Sequence, residues 1–166
     1  MATTTYAIAA GSNRRGRHGA PAAEVRAALA AIGARASAPV MASAPVGPSI
    51  RRFANTLALV ESALDPPAML ARLKAIERAF GRRRGQRWGA RVIDLDLVLW
   101  SGGAWRSPDL TIPHPAFRSR DFVLRPLLAL APAWRDPVTG LTVRQLATRL
   151  TRNRPVPRSG RAGAGP

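Results

Sequence analysis

The stretch Arg91-Val92-Ile93-Asp94-Leu95-Asp96-Leu97-Val98-Leu99-Trp100 restricts the fold of this 166-residue chain more than any other. Successive side chains of a strand point to opposite faces, so Ile93, Leu95 and Leu97 enter a core while Asp94 and Asp96 share the other face. Two like charges held side by side need a cation between them. Hard divalent ions such as Mg²⁺ are the natural candidates, because they take carboxylate oxygens and complete their shells with water and phosphate oxygens. Just upstream lie Arg82, Arg83, Arg84, Arg87 and Arg91. Each guanidinium offers a planar fork of donors matched to phosphoryl oxygens.

Around this strand, apolar spacing and turn residues set out the remaining elements. Thr5 to Ala10 reads as a first strand that stops at Gly11-Ser12-Asn13. The helical spacing of Val25, Leu29 and Ile32 predicts a helix over 21–32, with Gly33 as its stop. Ala38 to Val46 reads as extended and runs into Pro45-Val46-Gly47-Pro48, and Phe53 to Ser62 as a further strand. Asp65 before Pro66 is a helix start, an N-cap acceptor followed by proline at the first helical position. Met69, Leu70, Leu73, Ile76 and Phe80 line one face of that helix, and Gly81 ends it. Arg82 to Gly89 is a basic loop punctuated by glycine. Ser101-Gly102-Gly103 turns the chain back toward Ala104 to Arg106, and Leu110 to His114 reads as extended. Helices are predicted over 122–130 and 142–150. This irregular interleaving, with a hairpin signal at Gly102-Gly103, favours an α+β sandwich with a mainly antiparallel sheet over a doubly wound parallel one.

Composition supports one catalytic-sized domain over 1–152, since 46% hydrophobic residues supply a single core. Residues 153–166 hold Pro, Gly, Ala, Ser and Arg with little to bury, and are expected to be a disordered tail. The chain has no cysteine, which excludes disulfides, thiolate nucleophiles and Cys-based zinc sites and fits a reducing cytosol. Met1 to Tyr6 lacks the basic flank and apolar stretch of a secretory signal, and no apolar run reaches the length of a membrane span. A cytoplasmic protein without membrane contact is expected. Basic residues number 26 against 9 acidic, a formal charge of +17, and 25 of the 26 are arginine. Such an excess favours anionic partners, although an arginine-for-lysine bias throughout is equally a signature of genome composition.

There is no G-x-x-x-x-G-K-[ST] segment, and the one lysine, Lys74, sits within a predicted helix. A P-loop and a kinase-type lysine are therefore excluded, and any ATP chemistry falls to arginines and metal ions. A lone D-x-D is weak evidence by itself. Here it belongs to Arg87-Trp88-Gly89-Ala90-Arg91-Val92-Ile93-Asp94-Leu95-Asp96. That segment closely resembles the R-W-G-P-R-x-[IL]-D-L-D signature of the 6-hydroxymethyl-7,8-dihydropterin pyrophosphokinase family. Further blocks follow in family order: Ala10-Gly11-Ser12-Asn13, Pro45-Val46-Gly47-Pro48, Phe53-Ala54-Asn55, Ile76-Glu77 with Gly81-Arg82, Ile112-Pro113-His114, and Arg118 to Phe122. Together they cover about residues 7 to 150.

The resemblance implies a ferredoxin-like α/β sandwich and a folate-pathway enzyme, a monomer that transfers diphosphate from ATP to 6-hydroxymethyl-7,8-dihydropterin and releases AMP. It implies that Asp94 and Asp96 hold two Mg²⁺ ions and that Arg82 and Arg91 contact phosphates as catalytic groups. Glu77, His114 and Arg120 fall on the ATP side with those two arginines. The pterin falls to Ser43, Val46, Phe53, Asn55, Trp88 and Phe122, with Asn55 reading its edge, Phe53 and Phe122 sandwiching it, and Trp88 on a closing loop. An amide suits such a heterocycle because it supplies donor and acceptor together.

Each role has a plainer rival. Phe53, Phe122 and Trp88 fit core positions. His114 fits an ordinary loop histidine, and Glu77 a helix-surface charge pairing with Arg78 or Arg82. For His18, near Arg14, Arg15 and Arg17, only a solvated-loop role is expected. Ala90 stands where the family has proline, and Ser49-Ile50-Arg51-Arg52 replaces an acidic-Gln pair. Neither change removes a residue assigned to metal or phosphate. Two readings compete with the enzyme: a basic nucleic-acid-binding protein, and an inactive homologue serving as a scaffold.

Overall fold

The computed structural model describes residues 2–43, 53–81 and 92–152. Its elements run β1 (Thr4–Ser12), α1 (Pro21–Ile32), β2 (Ala36–Ser37), β3 (Met41–Ser43), β4 (Phe53–Ser62), α2 (Pro66–Ala79), β5 (Asp94–Trp100), β6 (Trp105–Ser107), β7 (Leu110–Ile112), α3 (Asp121–Leu130) and α4 (Val143–Arg152). Where the sequence predicts helices over 21–32 and a strand over 53–62, the bounds coincide. Local chemistry explains the helix ends. Gly33 takes the left-handed conformation (φ 71°), and its N–H bonds back to Ala30, closing α1. Asp65 accepts from the Ala68 N–H at 3.0 Å, capping α2 ahead of its proline.

The main sheet is antiparallel throughout, in the order β2-β4-β1-β5, with β3 paired to β4 beside β2. Counting β2 and β3 as one interrupted strand gives the ferredoxin-like arrangement of two β-α-β halves. Alternation along the strands divides the core into two layers. Tyr6, Ile8 and Ala10 of β1, Ala58 and Val60 of β4, and Leu95 and Leu97 of β5 pack under α1 and α2. Ala7, Leu57, Val98 and Leu99 pack on the other face against α3, α4 and Phe117.

Val98 and Leu99 are neighbours, yet both enter the second layer. A bulge between Ala7 and Ile8 in the β1–β5 register, where Ala7 pairs with Leu99 and Ile8 with Leu97, leaves Val98 as the extra residue. The uniformly apolar run Leu97 to Trp100 carries no alternation from which that change of phase is readable. Beyond β5 the predicted hairpin takes a different form. Apart from one bridge between Trp100 and Gly103, β6 pairs with β7 in a separate two-stranded sheet. Space is the reason: a Cβ on Gly102 would collide with the Trp100 indole, so the glycines accommodate that ring and the true two-residue turn is Pro108-Asp109. Among the described residues no helix is long and apolar enough to cross a membrane.

Candidate active site

The sheet register lays the site out directly. Gly11 is opposite Asn55 on one side and Asp94 on the other, and Ala9 is opposite Leu57 and Asp96. On the face that looks toward α3, Gly11 thus separates an amide from a carboxylate, and Ala9 separates Leu57 from the second carboxylate. A Cβ on Gly11 would come within 2.8 Å of Asn55 Oδ1, so glycine is what lets the amide lie across the strand. The depression becomes a cavity of about 640 Å³, whose lining includes Gly11, Ser12 and Asn13 at the end of β1. That volume suits a small-molecule site.

Seven residues singled out from the sequence meet around this cavity: Phe53, Asn55, Asp94, Asp96, His114, Arg120 and Phe122. As alternation requires, both aspartates are exposed while Ile93, Leu95 and Leu97 are buried. Phe122 is 43% exposed, which favours a ligand-facing aromatic over a core one. Arg120 lies with its guanidinium carbon 5.7 Å from the Phe122 ring centroid, joining a cation to that aromatic.

His114 is more than a loop histidine. Its N–H donates to the Val98 carbonyl at 3.0 Å, tying it to the bulge, and its Nδ1 accepts the Ala116 N–H at 3.1 Å. An accepting Nδ1 leaves the proton of the neutral ring on Nε2, where it is a donor. Burial pushes the His114 pKa below the ordinary histidine value; the charge of Asp96 opposes this and that of Arg120 reinforces it. The ring is therefore neutral at pH 7 and offers a hydrogen bond without a charge.

Glu77 does not join this group. It is nearly buried, and its carboxylate accepts the Leu95 N–H at 3.0 Å from the helix layer behind the sheet. There it satisfies a donor of β5, an edge strand, so it is not the exposed helix-surface charge of the plainer reading. Ser43 pairs with Phe53 at the entrance to β4. Arg82, Trp88, Arg91 and Val46 lie outside the described residues. Phe117, Val98 and Val123 also line the cavity but carry no polar signal by which a sequence could single them out. His18, expected to be solvated, instead donates its N–H to buried Glu24 at 2.6 Å, pairs Nδ1 with the same carboxylate at 2.8 Å, and packs on Phe80 at 4.6 Å between ring centroids.

Two carboxylates facing one cavity fit Mg²⁺, which binds through one or two carboxylates and fills its remaining positions with water and phosphate oxygens. They do not form an all-protein cage: among the described residues no group of three His, Cys, Asp or Glu side chains is placed to hold a metal.

Residues 7–132 match the family described as 7,8-dihydro-6-hydroxymethylpterin-pyrophosphokinase (HPPK). Two relatives are both named 2-amino-4-hydroxy-6-hydroxymethyldihydropteridine pyrophosphokinase. The one from Synechocystis sp. is 43% identical over 100 residues, covering 60% of this chain and 51% of that protein. The one from Haemophilus influenzae is 36% identical over 135 residues, covering 77% and 81%. In three dimensions the chain is similar to wild-type Plasmodium falciparum HPPK-DHPS, with a TM-score of 0.69 and 14% identity. That alignment covers 89% of this chain and 41% of the other, a likeness of fold alone. The chain thus spans about half the length of the Synechocystis protein and less than half of the Plasmodium chain.

Proposed function

This chain belongs to the 7,8-dihydro-6-hydroxymethylpterin-pyrophosphokinase family, and on that premise we propose that it transfers diphosphate from ATP to 6-hydroxymethyl-7,8-dihydropterin in folate biosynthesis. The pterin hydroxymethyl oxygen attacks the β-phosphorus of ATP, a new O–P bond forms, the bridge to the α-phosphorus breaks, and AMP leaves. The hydroxyl proton is released as the new bond closes. Such reactions are accelerated chiefly by positioning and by stabilising charge on phosphoryl oxygens.

The observation that carries this reading is the convergence of a carboxylate pair, two N–H donors suited to phosphate oxygens, an amide and two aromatics on one cavity. Asp94 and Asp96 would hold Mg²⁺, two ions on the family pattern, which when bound neutralises phosphate charge. Arg120 and the Nε2–H of His114 are assigned to the triphosphate, one as a charge and one as a neutral donor. Asn55 reads the pterin edge while Phe53 and Phe122 hold its faces. Arg82 and Arg91 are assigned to phosphates, Trp88 to closure, and Ser43 and Val46 to the pterin rim, on the motif match alone. A single copy in the cytoplasm is proposed as the working unit, in keeping with a chain that has no cysteine.

The formal charge of +17 is the observation that favours the rival nucleic-acid reading, but a general basic surface gives no reason for Asp94 to face an amide across a glycine with Asp96 on the same strand face. The test is to incubate the protein with Mg²⁺ and ATP, with and without the pterin, and identify the nucleotide product. Pterin-dependent AMP is expected; ADP, or AMP without pterin consumption, overturns the assignment.

A further inference from the structure

We propose that Arg118 and Asp136 form a positioning clasp that fixes the cavity wall carrying His114, Phe117 and Arg120, an inference that rests on the reading of the cavity as the ATP and pterin site. Asp136 is fully buried, and its carboxylate makes four hydrogen bonds. Oδ2 accepts from Arg118 Nε at 2.6 Å and Thr139 Oγ1 at 2.7 Å. Oδ1 accepts from an Arg118 Nη at 2.8 Å and from the Val138 N–H at 3.0 Å. This is a two-pronged arginine–carboxylate contact with both acceptor oxygens used twice, which fixes orientation as well as distance.

The arginine end belongs to the wall. Arg118 is the middle residue of the 3-10 turn Phe117–Ser119, and its guanidinium carbon sits 4.7 Å from the centroid of the Phe117 ring. Phe117 is buried and lines the cavity; Arg120 follows two residues later. From His114 to Arg120 the backbone bonds are local turns, Phe117 N–H to His114 O, Ser119 N–H to Ala116 O and Arg120 N–H to Phe117 O, while at the ends His114 N–H to Val98 O reaches the sheet and Arg120 O accepts from Val123 and Leu124 of α3. A run of turns does not fix its own distance from the rest of the molecule. The clasp and the burial of Phe117 supply that at its middle.

The aspartate end belongs to a firm support. Asp136 N–H bonds to Leu141 O at 2.9 Å, Val143 N–H to Trp134 O at 2.9 Å, and Val143 and Leu146 of α4 are buried in the same layer as Phe117. The family match ends at residue 132, so this support lies beyond it. Arg118 is no catalytic residue on this account; it acts through the placement of Arg120 and His114.

The test compares Arg118→Lys, which keeps the charge but loses the fork, and Asp136→Asn, which keeps the shape but loses the charge, with Arg125→Ala as control. Arg125, itself exposed, pairs with half-buried Asp121 four residues away and lies outside the clasp. The KM for ATP and Kd for a non-hydrolysable ATP analogue are expected to rise about tenfold in both clasp variants, a tenfold change being what ~1.4 kcal/mol of misplacement gives. The KM for pterin, which depends on Asn55 and Phe53 of β4 and on Phe122 held by α3, should rise less than that for ATP, and Arg125→Ala should behave as wild type. Folding is checked by circular dichroism at the assay temperature. Unchanged ATP affinity in either folded variant, or equal rises for ATP and pterin, overturns the clasp as a positioning device. Absence of pterin-dependent AMP in the wild type would instead sink the proposed function, a separate result.

Discussion

Acid should loosen the Arg118–Asp136 clasp by a calculable amount. Burial alone would raise the Asp136 pKa, but the hydrogen bonds from Arg118, Thr139 and the Val138 N–H, with the charge of Arg118, outweigh it and hold the group at about 2, against an ordinary 3.8. At ~1.36 kcal/mol per pH unit that depression corresponds to about 2 kcal/mol. Because the folded-state pKa is the lower one, this stabilisation is fully present above pH 3.8 and drains away as pH falls through the folded value of about 2. With both states titrating, about 1 kcal/mol should be gone by pH 3. Other carboxylates titrate in the same range, so the quantity to follow is the difference between wild type and Asp136→Asn, whose amide does not titrate. Urea midpoints at intervals from pH 7 to pH 3 give that difference, which should exceed ~2 kcal/mol at neutrality and narrow by about 1 kcal/mol at the acid end. A difference that stays constant across the range, or is absent at pH 7, would refute the assignment of this carboxylate as buried and ionised.

Three further outcomes follow from the geometry. Asp94→Ala and Asp96→Ala should each lower turnover by about 10² or more while shifting the urea midpoint little, because both side chains are exposed on the cavity face; near wild-type turnover with Mg²⁺ would remove that aspartate from the mechanism. Gly11→Ala should raise the KM for pterin about tenfold with less effect on ATP, since its Cβ would press on Asn55 Oδ1 at 2.8 Å; an unchanged pterin KM would mean that the amide does not read the substrate. Glu77→Ala should cost about 1–3 kcal/mol of stability by stranding the Leu95 N–H, while Glu77→Gln retains an acceptor and most of the stability; a large ATP KM change in a Glu77→Gln protein of normal stability would return Glu77 to the nucleotide side.

How much of this was legible in the sequence depends on whether the signal was local. The caps at Asp65 and Gly33 depend on neighbouring residues, and both helix ends follow from them. Asp94 and Asp96 share a face because strand geometry leaves no other choice while alternation persists. Where alternation ends, at Leu97 to Trp100, the bulge that sends Val98 and Leu99 to one layer has no sequence signal. The same applies to contacts made at a distance. Arg118 and Asp136 are 18 positions apart, as are Glu77 and Leu95, and nothing in the intervening residues announces either contact. His18 reads as one more charge in a basic loop because its partner, Glu24, is buried only when α1 docks on the sheet. The cavity residues were found through their resemblance to a motif set; the wall that supports them is visible only in three dimensions.

The central claim is that the bond broken lies between the α- and β-phosphorus of ATP. Supplying Mg²⁺, pterin and ATP labelled at the α- or the γ-phosphorus, then separating nucleotide from pterin, tests it directly. The account predicts α-label in AMP and γ-label in the pterin product, in equal amounts and only when pterin is present. Gamma label released as inorganic phosphate with α-label in ADP, or no transfer of label to the pterin, would contradict it.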